Sequence, residues 1–182
     1  MRAVIPRTDL VVRPRTTTDV PPLVEVLAEQ QPASRYPFRW PLPFPAEEFV
    51  ARAGEEAAWV ARVDGRVAGQ VAVLGVADDE LGRAWCAATG LAPADLAVVA
   101  SFFVGTRHRG RGVGRALLAT AVGWVRERGR LPVLDVVQGH AAAVRLYTSA
   151  GWRTVGEARP PWLPDEEPPV LLMVLDPGAG ER

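Results

Sequence analysis

The chain has 182 residues, 48% of them hydrophobic and 23% charged. That is enough to bury one core without a disulfide framework, and too apolar for disorder throughout. Twenty-one basic residues, every one an Arg, balance 21 acidic ones, which speaks against bulk nucleic-acid binding and excludes a Lys base, a Schiff-base Lys and the Lys-ending nucleotide P-loop.

Residues 10–14 read as a strand. Thr18 or Asp19 then caps a helix with Pro21 and Pro22 in its first turn and Val20, Leu23, Val24 and Leu27 as its apolar stripe, fading at Gln30 and Gln31. In residues 32–45, Pro32, Pro37, Pro41, Pro43 and Pro45 interleave with Tyr36, Phe38, Trp40 and Phe44. Prolines at that density forbid a regular element, so the segment is either a loop pinned on the core or a wall of a binding cleft. A short helix over 46–53 stops at Gly54. Strands over 59–63 and 67–76 join through Asp64-Gly65, a hairpin signal. Residues 77–94, acidic and then Ala-rich, carry no clear assignment. Residues 96–104 are almost continuously apolar, as in a strand covered on both faces.

A glycine-rich loop over 105–114 opens a helix to about Arg128, with the stripe Leu117, Leu118, Ala121 and Val125 and a stop at Gly129. A strand over 133–137 follows, then a helix over 140–150 with Ala143, Leu146, Tyr147 and Ala150 on one face. The last strands, 152–157 and 170–175, flank a second Pro/Trp loop that includes Trp162. The order predicts about seven strands and about four helices in one α/β (α+β) domain, a mixed sheet with helices on both faces. The domain spans 1–182, with a core over about 10–175 and loose ends. No apolar run reaches membrane-span length, residues 1–6 lack a secretory apolar region, and the single Cys86 allows neither an intramolecular disulfide nor a multi-cysteine metal site. No metal, no membrane and a cytoplasmic location are the expectations.

The most informative stretch is Val104-Gly105-Thr106-Arg107-His108-Arg109-Gly110-Arg111-Gly112-Val113-Gly114-Arg115. It lies between a predicted strand and a predicted helix. Alternate glycines leave backbone N–H groups bare, and the helix start adds its unpaired donors and the positive end of its dipole. Together they suit a phosphate or pyrophosphate. The dinucleotide fingerprint fails, because Arg115 stands where its third glycine belongs. An Arg-Gly nucleic-acid tract would be longer and disordered. A purely structural turn remains open.

Arg109-Gly110-Arg111-Gly112-Val113-Gly114 resembles the Arg/Gln-x-x-Gly-x-Gly/Ala motif of the GCN5-related N-acetyltransferase (GNAT) superfamily, preceded by Phe102-Phe103-Val104 on the strand. Residues 140–152, from His140 through Leu146-Tyr147 to Gly151-Trp152, resemble its Asn-x-x-Ala-x-x-Leu-Tyr-x-x-x-Gly-Phe signature. The likeness covers about 10–175. It implies an acyl-CoA N-acyltransferase domain with a splayed central strand pair, between 96–104 and 133–137. The co-substrate would be acetyl-CoA or another acyl-CoA. Its pantetheine would lie along Phe102, Phe103 and Val104, and its pyrophosphate on Arg109, Gly110, Arg111, Gly112, Val113 and Gly114 with Arg115 beside them. Tyr147 would act on the departing thiolate, and a core tyrosine is its plainer reading. His140 stands where the family often has Asn, as a cofactor contact or a helix cap.

The implied reaction is acetyl transfer to a primary amine of a small molecule or peptide by direct attack. Tyr36, Phe38 and Trp40 are the candidate acceptor-binding residues, and nucleic acid is not an expected partner. Dimers are common in the family, which makes a homodimer an admissible state. Strand 96–104 lacks the family's frequent Glu base. The base is then a water relay, a carboxylate such as Glu47, Glu48, Asp78, Asp79 or Glu80, or nothing. Cys86 as a covalent nucleophile is a weaker option. The empty strand keeps a second reading open, a non-catalytic acyl-CoA-binding or regulatory member.

Overall fold

The structure, a computed structural model, describes residues 9–178; the chain ends expected to be loose lie outside them. Seven strands form one sheet: β1 (Leu10–Pro14), β2 (Glu55–Val63), β3 (Arg66–Leu74), β4 (Leu96–Val104), β5 (Leu131–Val136), β6 (Arg153–Ala158) and β7 (Val170–Val174), in the order β1-β2-β3-β4-β5-β7-β6. All neighbouring pairs are antiparallel except β4 and β5. The helices are α1 (Val20–Ser34), α2 (Ala46–Val50), α3 (Glu80–Thr89), α4 (Val113–Arg126) and α5 (Ala141–Ser149).

Most predicted elements stand, with four differences. Strand β2 begins at Glu55, four residues ahead of the strand expected over 59–63. Helix α1 runs past Gln31 to Ser34 with Pro32 inside it. Pro32 removes one hydrogen bond and crowds the Ala28 carbonyl, and the turn is held instead by Gln30, buried within α1, which donates to the carbonyls of Leu27 and Tyr36 and accepts from the Ser34 hydroxyl. The short helix ends at Val50, before the Gly54 expected to stop it. Helix α3 is a fifth helix, in the unassigned 77–94. Asp79 caps it by accepting from the Gly82 N–H at 2.8 Å, and Gly90 closes it in the left-handed region. Leu81, Ala84 and Trp85 pack on the core at i, i+3 and i+4, a helical stripe already present in the sequence.

Helices α4 and α5 cover one face of the sheet, where Val113, Leu117, Leu118, Ala121, Val125 and Tyr147 meet β2 to β5. Helix α1 covers the other face through Leu23, Leu27, Val50, Val60 and Phe103, and α3 packs Trp85 against Leu96, Val133, Leu172 and Val174. Strand β4 changes parity midway. Ala97 and Val99 face α4 before Ser101, Phe102 and Val104 after it. The cause is a bulge: Gln70 pairs with Phe103 but Ala72 with Ala100, and Ser101 adopts a φ of +47°. A bulge bends its strand and reverses the alternation beyond it. The Ser101 hydroxyl anchors it by donating to the Phe49 carbonyl at 3.1 Å.

The start of α1 is tied to β1 by Asp19. Its carboxylate accepts two hydrogen bonds from Arg13, each 2.7 Å, and others from the Thr16 N–H and hydroxyl. The Arg13 hydrogen bonds hold this carboxyl well below the usual range. A lowered pKa contributes stability that is present above the unfolded value near pH 4 and is lost as pH falls below it. Asp19→Ala is expected to cost about 2 kcal/mol at pH 7. Denaturant titrations of both proteins check this, and the gap should close as pH falls below about 4.

Candidate active site

Parallel pairing between β4 and β5 covers Leu96–Leu131, Ala97–Pro132 and Val98–Val133 and then stops. From there the strands diverge, as the resemblance implied. Around the gap lies a cleft of about 1300 Å³, bounded by β4, β5, the starts of α4 and α5 and the loop after α1.

At one end stands the glycine loop. Gly110 and Gly112 have φ of +71° and +79°, which favours glycine, and a Cβ on either would meet no heavy atom within 4 Å. The N–H groups of Gly110, Gly112, Val113 and Gly114 have no acceptor among the described residues. Gly114 brings the first turn of α4 against β4, where a Cβ would lie 3.4 Å from the Phe102 ring. Two expected contacts change. The Arg109 N–H closes the turn onto the Thr106 carbonyl at 3.4 Å, leaving Arg109 its side chain at the cleft wall. Arg111 does not line the cleft, while Arg115 does. Phe102, Phe103 and Val104 all line it; Phe102 and Val104 pack toward α4 and the Phe103 side chain toward α1.

Tyr147 lines the cleft and is still 7% exposed, so its catalytic and core readings are compatible. Its ring packs at 6.1 Å from Phe102 and 5.9 Å from Trp152. Burial first, then Tyr36 and Asp135, push its hydroxyl far above the ordinary value, so it stays protonated. His140 precedes α5 but makes no side-chain cap. Its Nε2 lies 3.0 Å from the Arg35 carbonyl, and its ring meets Tyr36 and Phe38 at 6.2 and 6.3 Å. Burial lowers its pKa, keeping it neutral. His140 therefore clamps the proline-aromatic loop onto α5.

That loop is held from α1 as well. The Gln31 side chain donates to the Pro37 carbonyl at 3.3 Å, and the Tyr36 N–H to the Ser34 hydroxyl at 3.0 Å. Tyr36 and Phe38 line the cleft with Phe44, Phe49 and Trp162; Trp40, 38% exposed, does not. The sequence puts Trp40 in an aromatic alternation, but loop geometry turns it to solvent. Cys86 packs in the α3 core, away from the cleft.

Of the carboxylates considered from sequence, Asp79 alone reaches the cleft, and its side chain is the α3 cap. The carboxylate missed is Asp135 on β5. Alternation sends Leu134 and Val136 to α4, and Val133, Asp135 and Val137 to the opposite face. Burial pushes the Asp135 carboxyl up to about 6, eased by its own N–H and Arg52 and reinforced by Asp79. The available signal was a lone charge inside the apolar run 131–137. Among the described residues no cluster of His, Cys, Asp and Glu could hold a metal, and no helix is long and apolar enough to cross a membrane.

Residues 23–152 match the acetyltransferase (GNAT) family. The chain is 34% identical over 102 residues to N-acetyltransferase 8 of Mus musculus, a match over 55% of this chain and 40% of that protein's length. A GCN5-related N-acetyltransferase from Kribbella flavida superposes with a TM-score of 0.65 at 26% identity, over 91% of this chain and 95% of the other. yncA from Salmonella typhimurium, solved with its cofactor acetyl-CoA, has a TM-score of 0.64 at 17% identity, over 92% and 93%.

Proposed function

This chain belongs to the acetyltransferase (GNAT) family, and from that premise we propose that it transfers an acetyl group from acetyl-CoA to a primary amine of a small molecule or peptide by direct attack. The observation that carries this is the opening of β4 from β5 beyond Val98 and Val133, leading to the bare N–H groups of Gly110, Gly112, Val113 and Gly114. Four such donors at a helix start fit a pyrophosphate, and the unpaired edge of β4 at Phe102 and Val104 fits an amide-bearing chain that pairs like a strand. Arg109 and Arg115 add positive charge at the same end. Bound acetyl-CoA supplies the activated acyl group. Backbone N–H groups beside the β4 bulge would orient its carbonyl, and Tyr147, kept protonated, would hand its proton to the sulfur that leaves.

The acceptor would enter from the α1 side, between Tyr36, Phe38, Phe49 and Trp162. An amine with an apolar or aromatic body suits these walls. The single free thiol of Cys86 accords with a reducing, cytoplasmic setting. The defining experiment is calorimetric titration with acetyl-CoA, followed by measurement of CoA release with and without primary amines. Release that requires an amine supports the transferase. Binding without amine-dependent release turns the reading to the non-catalytic acyl-CoA-binding alternative, and no binding removes both.

Acceptor contacts give a further expected result. Phe38→Ala should raise the acceptor KM about tenfold, as loss of an aromatic wall does, and leave the acetyl-CoA KM unchanged. Trp40→Ala should change neither, since Trp40 faces away from the cleft. Paired steady-state kinetics on both variants check it.

A further inference from the structure

We propose that Asp135 is the proton acceptor of the transfer, a carboxylate delivered by β5 in place of one on β4. This deepens the acetyl-transfer reading and rests on it. Strand β4 between Leu96 and Val104 holds no ionisable side chain, so a base must come from another element. Asp135 lies two residues beyond the last β4–β5 pair, where the gap opens, and lines the cleft. Its backbone is fixed by pairing with Leu172 of β7, so the carboxylate stands on a central strand rather than a loop.

The surroundings make the position chemically selective. On its face of the sheet stand Tyr36 from the loop after α1, Arg52 from the turn after α2 and Asp79 from the start of α3, all lining the cleft; Tyr147 and His140 line it from α5 and the turn before it. Tyr36 also has the Phe102 backbone N–H nearby, on the β4 bulge itself. Asp79 is engaged with the Gly82 N–H, and both tyrosines and His140 are neutral, which leaves Asp135 as the carboxylate available to a nitrogen in the cleft. The Asp135 carboxyl, pushed up to about 6, is a stronger base than an ordinary aspartate and is still ionised at pH 7.

The step balances as follows. The lone pair of a neutral amine forms a bond to the acetyl carbonyl carbon, and the carbon–sulfur bond breaks. The nitrogen becomes acidic as it bonds, and its proton passes to Asp135. The sulfur leaves with the electron pair and takes the Tyr147 proton. Amide and free thiol depart, and exchange with solvent returns Asp135 and Tyr147 to their starting forms.

The test uses the full chain, acetyl-CoA and 2-phenylethylamine as an aromatic primary amine. In the wild type, kcat is expected to fall as pH drops through about 6, where Asp135 takes up its proton. Asp135→Asn should lower kcat roughly 10²-fold or more at pH 7.5 and abolish that limb. Its acetyl-CoA dissociation constant should be unchanged and its Tm close to wild type, because Asp135 is half-buried on the cleft wall and Asn keeps its shape. Asp135→Asn with wild-type kcat, or a wild type with no limb near pH 6, overturns the role of Asp135 alone. A wild type that binds acetyl-CoA but transfers to neither 2-phenylethylamine nor any other primary amine overturns the transfer reading and this role with it.

Discussion

Tyr147→Phe is expected to lower turnover by roughly 10²–10⁴ while leaving acetyl-CoA affinity and the fold nearly unchanged. The ring keeps its place between Phe102 and Trp152. No hydrogen bond among the described residues uses the Tyr147 hydroxyl, so its removal strands no partner, and stability should move by at most about 1 kcal/mol. Burial holds the hydroxyl protonated across the working range, so its proton is present to be shared with the leaving sulfur and the group is no base. The measurement is turnover, cofactor dissociation constant and Tm on the same preparation. Unchanged turnover with chemistry rate-limiting would leave Tyr147 as packing between β4 and the segment after α5.

Gly112→Glu is expected to weaken acetyl-CoA binding by roughly 10²-fold or more, equivalent to about two charge-assisted hydrogen bonds. Two effects must be separated. At a φ of +79° any L side chain is strained, at a cost of about 1–2 kcal/mol. The new carboxylate also stands beside the donors of Gly110, Val113 and Gly114, at the positive end of the α4 dipole. Gly112→Ala carries the strain without the charge. A Cβ meets nothing within 4 Å, so both variants should fold. Calorimetric titration should find the Ala variant close to wild type and the Glu variant far weaker. Equal affinity in all three would move the pyrophosphate site away from this loop.

The glycine loop was legible in the sequence because its chemistry is local. Residues 105–114 are contiguous, and a strand before them and a helix after them place their glycines at a helix start. The spacing of Tyr147 from Ala143, Leu146 and Ala150 gave its packed place on α5, whereas its proposed role toward the leaving sulfur came from the family resemblance and not from spacing. Helix α3 carried its signal as well, in the caps Asp79 and Gly90 and the stripe Leu81, Ala84 and Trp85, but exposed Ala87 and Ala88 blur the edge of that stripe, and the segment has no clear assignment from sequence.

Residue types, capping residues, the apolar run of β4 and the glycine spacing determined by themselves every element but α3, their approximate order and the glycine loop between β4 and α4. The tertiary structure decided the rest. The bulge at Ser101 reverses the facing of β4 and turns Phe102 and Val104 toward α4. Pairing of β4 with β5 over only three residues opens the cleft. Loop geometry sets Tyr36 and Phe38 in it and turns Trp40 out, and pairing with β7 fixes Asp135 across from a strand that carries no charge. Alternation along a strand says which residues share a face. Which face meets which helix, and where two strands part, depends on register between segments distant in the chain, and no local pattern encodes that.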